Sequence, residues 1–141
     1  MAGAVTVAWD WQQRGQVTLA DGKLVFPRVP RPAGIYRLML QDAAGFPAGV
    51  YVGEADLLAR RFQHYRTPGV SQQTNLRLTS IMAAALAAGG RIAVEIAASA
   101  QLIAADGSAA PLDLRWKAAR VLVERAAEVA ERTAGAVVLN K

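Results

Sequence analysis

The chain has 141 residues, which suits one domain with one core, and 53% of them are hydrophobic, too many for a disordered protein. The formal net charge is +5 and the sequence pI about 10.2, a balance that favours an anionic partner such as nucleic acid. The lack of cysteine excludes disulfides, thiolate metal sites and cysteine catalysis, and the single histidine, His64, excludes a histidine-rich metal centre.

Residues 4–11, AVTVAWDW, alternate so that Val5, Val7, Trp9 and Trp11 share one face, the period of a β-strand. Two short β-prone runs then flank Asp21-Gly22, a hairpin turn pair. Three prolines in residues 27–32 make an extended linker, because proline fixes φ and removes a ladder donor. Residues 34–40, GIYRLML, read as a buried strand, QDAAGFPAG as a loop, and 50–53, VYVG, as a second short strand antiparallel to the first. Residues 56–65 read as a helix capped by Asp56. On its wheel Leu57, Leu58, Phe62 and Tyr65 make an apolar arc, with Arg60, Gln63 and His64 opposite and Arg61 inside the arc. A second helix spans 74–88, with Leu78, Ile81, Met82 and Ala85 on one face and Gly89-Gly90 at its end. Residues 91–97 alternate as a third strand, 98–112 read as a surface excursion, and 113–132 form the longest helix. Residues 136–140, AVVLN, suit a final short strand.

The amino-terminal stretch has neither a basic region nor a long apolar core, so no signal peptide is expected. The longest small-apolar run, IMAAALAAGG, is too short to span a bilayer. A cytoplasmic, non-membrane protein is the expectation.

The chemistry-bearing residues concentrate in 34–66. Two tyrosines sit at strand positions, and a basic run of Arg60, Arg61, His64 and Arg66 follows. An arginine on an apolar helix face is costly unless it is paired or lines a groove. By residue type alone this is either a phosphate site or a tyrosine-bearing sheet beside a solvated basic helix.

The ordered tripeptides Gly34-Ile35-Tyr36 and Tyr51-Val52-Gly53, followed by Arg61, by Glu124 within VLVERAAE and by Asn140 within VVLN, resemble the GIY-YIG nuclease family from about residue 33 to 140. The layout is similar to its single-domain, restriction-type members. The resemblance implies an α+β fold, with a small antiparallel sheet of about three strands flanked by helices and residues 1–32 as a β-rich extension ahead of the module at 33–141. It also implies a DNA endonuclease using Mg2+, or another divalent cation such as Mn2+, held by Glu124, with Glu128 as the substitute. Arg61 would contact the phosphate, Tyr36 would be the base or water-orienting group, and Tyr51 would hydrogen-bond in the same site. Gly34, Gly53, Tyr65 and Asn140 would shape the site or its edge. A one-residue gap would select Arg60 and His64 instead, so His64 is kept as a participant. Arg60, Arg66 and Arg77 are the candidate DNA contacts. A double-strand cut in one event needs two sites, which a homodimer would supply.

Three features depart from the family pattern. Fourteen residues (37–50) separate the tripeptides, more than the family's usual ten or so, which predicts an enlarged loop. Glu54 stands where family members carry a basic or small residue. Glu124 shares a helix face with Lys117, Arg120, Glu128 and Glu131, which is also the pattern of a solvated, salt-bridged helix. These features motivate the alternative of a nucleic-acid-binding module of the same fold with weak or no catalysis.

Overall fold

The structure is a computed structural model describing residues 1–30, 32–66 and 73–140. The amino-terminal alternation does form strand, but a broken one: β1 (Thr6–Trp9) joins one sheet, and after Asp10 the chain crosses to another as β2 (Gln12–Gln16). The hairpin β3 (Thr18–Ala20) and β4 (Lys23–Val25) turns on Asp21 and Gly22, both with positive φ (52° and 75°), the pair of left-handed residues that a tight two-residue turn requires. There follow β5 (Gly34–Gln41), β6 (Pro47–Ala55), α1 (Leu58–Arg66), α2 (Gln73–Ala87), β7 (Arg91–Ala97), β8 (Ala100–Ile103), β9 (Ala109–Leu112) and α3 (Lys117–Thr133).

The central sheet runs β2-β7-β5-β6 with every neighbour antiparallel. Three of its strands belong to the stretch that resembles the nuclease module, and β2 adds a fourth along the edge of β7. The architecture is α+β: small antiparallel sheets flanked by helices, with extra strands from the amino-terminal segment.

Two expectations are corrected. The residues between the tripeptides lengthen the hairpin instead of its loop. β5 continues to Gln41 and β6 starts at Pro47, across a bulge at Leu40/Gln41. The five-residue turn between them is held by Asp42, whose Oδ1 accepts from the amides of Ala44 (3.0 Å) and Phe46 (2.9 Å). Residues 98–112 are likewise no excursion. They form the β8–β9 hairpin, which pairs with β1 to make a second, three-stranded sheet. The Ala and Ser content hid these strands because their stability comes from pairing with β1, not from β-propensity.

Alternation along β5 divides the interior in two. Tyr36, Leu38 and Leu40 face a core shared with Leu58, Phe62 and Tyr65 of α1, Leu78 and Met82 of α2, and Ile92, Val94 and Ile96 of β7. Ile35 faces the other way, into a core with Val52, Ala97, Leu114 and the α3 residues Val123 and Ala127, which Val7, Trp9 and Trp11 flank. That α3 face is largely covered, although Lys117 at its start is exposed. Arg120 and Glu128 are buried, and the neighbouring Arg37 of β5 bridges Glu131 of α3 and Glu95 of β7 (2.9 Å to the latter) while stacking 4.6 Å over Trp11.

Because Arg37 neutralises two largely buried carboxylates, its removal strands both charges. Arg37→Ala is therefore expected to lower unfolding stability by about 3–5 kcal/mol in urea titrations. Glu131→Gln, which strips one partner but leaves Arg37 paired to Glu95, should cost clearly less.

Candidate active site

Tyr36 of β5 lies directly opposite Gly53 of β6. A Cβ placed on Gly53 would fall 2.3 Å from both the Cζ and the hydroxyl of Tyr36, so the tyrosine ring end lies on the space a side chain would fill. The glycine of the second tripeptide thus exists to admit the tyrosine of the first. Gly34 serves the strand's start in the same way: a Cβ there would come 2.8 Å from the carbonyl oxygen of Ala97 and 3.0 Å from Leu58.

The Tyr36 hydroxyl meets that of Tyr65, and Tyr51 lies close enough to interact with both, so β5, α1 and β6 bring three tyrosines together. Phe62 packs edge-on to Tyr36 (5.2 Å between centroids), and Phe26 stacks on Phe62 and Tyr65. Tyr65, expected at the site edge, belongs to this group. Tyr36 (1% exposed) and Tyr65 (0%) are sealed, and only Tyr51 of the three is partly exposed. Burial pushes the Tyr36 hydroxyl well above the ordinary tyrosine range; Tyr65 and Tyr51 add to the shift and Arg61 opposes it. Burial likewise raises Tyr65 and Tyr51.

α1 sorts the two arginines as its wheel requires. Arg60 is exposed and paired with Asp56 one turn earlier, at 3.0 Å. Arg61 is half-buried, makes no ion pair among the described residues, and acts electrostatically on Tyr36, Tyr51, Tyr65 and Glu124. It lines an open cleft of about 240 Å³ with Asp56, Leu57 and Arg60. His64 and Arg66 belong to the helix backbone, but their side chains lie outside the described residues.

Glu124 projects from α3 toward the same place. It is partly buried, has no hydrogen bond or ion pair among the described residues, and interacts with Tyr51 and Arg61. Burial raises its pKa, and Glu54 adds to that. Glu128, the substitute ligand, is instead occupied by Arg125 (3.0 Å) and Arg132 (3.4 Å). Glu54 is also committed: its Oε2 accepts from Nε of Arg120 at 2.6 Å. Sequence spacing does not reveal this pair; it places Arg120 only on the helix face of Glu124, by their i, i+4 separation. Asn140 pairs through its side-chain amide with the backbone of Val52, accepting at 3.0 Å and donating at 2.6 Å. Arg77, expected on DNA, donates to the carbonyl of Leu139 at 2.9 Å.

No group of three or more His, Asp or Glu side chains able to hold a metal occurs among the described residues. A hard divalent cation that keeps most of its waters and takes one protein carboxylate, with substrate phosphate as a further ligand, does fit the unpaired Glu124.

Comparison with known proteins agrees with this topology. The chain matches the structure of a bacteriophage T4 EndoII mutant with a TM-score of 0.53 over 82% of this chain and 85% of that one, at 16% identity. The fold is GIY-YIG-like. No family model and no curated protein sequence matches the chain. No helix among the described residues is long and apolar enough to cross a membrane.

Two pH effects follow from the buried groups. The tyrosines are protonated in both states below about pH 10; above it, the unfolded chain ionises while the fold holds its protons, so stability falls as pH rises. Urea midpoints followed from about pH 9 to 11 should decline, and less steeply in Tyr51→Phe. The raised Glu124 pKa has the same sense at lower pH: stability is full below the ordinary glutamate range and lost as pH rises through the folded value. Glu124→Gln should therefore raise the thermal midpoint at neutral pH, as calorimetry would show.

Proposed function

We propose that the protein is a metal-dependent endonuclease that hydrolyses DNA phosphodiester bonds. The observation that supports this best is the meeting of an arginine and a carboxylate, each without an ion pair among the described residues, with three neighbouring tyrosines, contributed by α1, α3, β5 and β6. Unpaired charges with no part in holding the fold together cost stability and are retained where a ligand completes them.

In this reading Arg61 binds the non-bridging oxygens of the scissile phosphate, where a forked guanidinium stabilises developing negative charge. Glu124 holds the divalent cation, Mg2+ or Mn2+, which when bound lowers the pKa of water and neutralises phosphate charge. Tyr51, the tyrosine that reaches solvent, meets the attacking water. Tyr36, behind it, orients that water or takes its proton through the hydroxyl of Tyr65. Deep burial keeps Tyr36 neutral at rest, so the base role needs positive charge brought by phosphate-bound Arg61 and the cation. Asn140 fixes β6 at Val52, the residue after Tyr51. Arg60 and Arg66 would add contacts to DNA and His64 would take part beside them, and two copies of the chain would place one site on each strand of a duplex.

The sealing of Tyr36 also favours a second reading, a nucleic-acid-binding module of the same fold that cuts poorly or not at all. Plasmid nicking separates the two. The wild-type protein should nick DNA with Mg2+ or Mn2+ and not in chelator. Arg61→Ala and Glu124→Gln should each slow single-turnover cutting by about 10²–10³-fold. DNA bound tightly but left intact with every divalent cation would establish the binding module instead.

A further inference from the structure

Among the described residues Glu124 makes no hydrogen bond or ion pair that would fix its own position, so its approach to Tyr51, with which it interacts electrostatically, is set by where α3 sits on the sheet. One residue anchors that end of the helix. Arg120, 5% exposed and one turn before Glu124, donates from Nε to Glu54 on β6 (2.6 Å) and from Nη1 to the carbonyls of Leu114 and Arg115 (3.0 Å each). It thereby joins β6, the turn entering α3 and α3 itself. No side chain caps the helix at Trp116, so this is the polar hold on the amino-terminal end of α3. Its acceptor immediately follows Gly53, on the strand that also carries Tyr51.

We infer that Glu54 and Arg120 are positioning residues that hold Glu124 in register with Tyr51, an inference that rests on the nuclease reading above for its catalytic consequence. Glu54 binds no substrate in this arrangement. Its carboxylate is spent on Arg120, and strand β6 supplies both the site tyrosine and the anchor for the helix bearing the site carboxylate. Displacing reacting groups by about 1 Å costs on the order of 10²-fold in rate, so loss of the anchor acts on the chemical step.

The chain has only three tyrosines, and all three lie in the site, so protein labelled with 3-fluorotyrosine reports on it directly by fluorine NMR. Glu124→Gln identifies the Tyr51 resonance as the one that senses the carboxylate. Glu54→Gln is expected to move that resonance, to lower single-turnover cutting by about 10–100-fold, and to leave DNA affinity in chelator within about 2-fold of wild type. Arg120→Gln should reproduce both losses, and Arg120→Lys, which keeps a cation able to donate to Glu54 and the carbonyls, should return both signal and rate toward wild type, which a loss of general stability would not do. If Glu54→Gln fails to fold, Glu54→Asp, which keeps the charge but shortens the reach, should shift the same resonance. A Tyr51 resonance unmoved in a folded Glu54 variant, while Glu124→Gln moves it, overturns the inference. Wild-type protein that never cuts DNA, yet shows the expected fluorine shifts and their recovery, would overturn the nuclease reading and leave the positioning role standing.

Discussion

The site rests on a ring lying against a backbone. Tyr36 can occupy its place only because Gly53, its partner across the hairpin, has no side chain, and a single methyl there would collide with the ring and its hydroxyl. That close approach fixes the register of β5 on β6, since a slip of one residue would turn Tyr36 to the opposite face and set a bulkier neighbour against the ring. It also aims the hydroxyl at α1, where it shares a hydrogen bond with Tyr65, beside Tyr51. The two tripeptides therefore form one packing unit, and the positions of Arg61 and Tyr65 follow from the helix that must cover it.

The other face of the sheet is joined by different means. Apolar contact under α3 is confined to a small cluster, and beyond it the helix meets the strands through Arg120–Glu54 and Glu131–Arg37–Glu95. Buried ion pairs add little net stability over well-packed apolar groups, but a misplaced helix would leave each charge stranded. Such contacts suit a helix whose exact axial position matters. Glu124, between the two anchors, is left without a partner among the described residues.

Much of this was legible in the sequence where periodicity and turn chemistry carry the signal. The Asp21-Gly22 hairpin, the strand at 91–97, the apolar faces of α1 and α2 and the separation of Arg60 from Arg61 all follow from spacing. The resemblance carried by the ordered tripeptides agrees with the fold observed. What escaped were features decided by distant partners. Residues 98–112 contain too little β-propensity to declare strands, and they become strands because β1 lies alongside. The long spacing between the tripeptides looks the same in sequence whether it extends a loop or a ladder. Glu54 stands out in the sequence only as a departure from the family pattern, because its partner is 66 residues away. The face of α3 read equally well as solvated, since charge alone does not tell whether water or an opposite charge meets it.

The tail beyond α3 has a consequence of another kind. β6 is the last strand of the central sheet, and residues 136–140 run beside it with a single parallel bridge, Val50 to Val138, while the Asn140 amide occupies both polar groups of Val52. Without that cover the strand would present a row of unsatisfied amides and carbonyls, the template on which a second chain could add its own strand. Asn140 acts here as a borrowed peptide group, closing the ladder without the length of a fifth strand. The same few residues that steady Tyr51 thus also guard the protein against edge-to-edge aggregation.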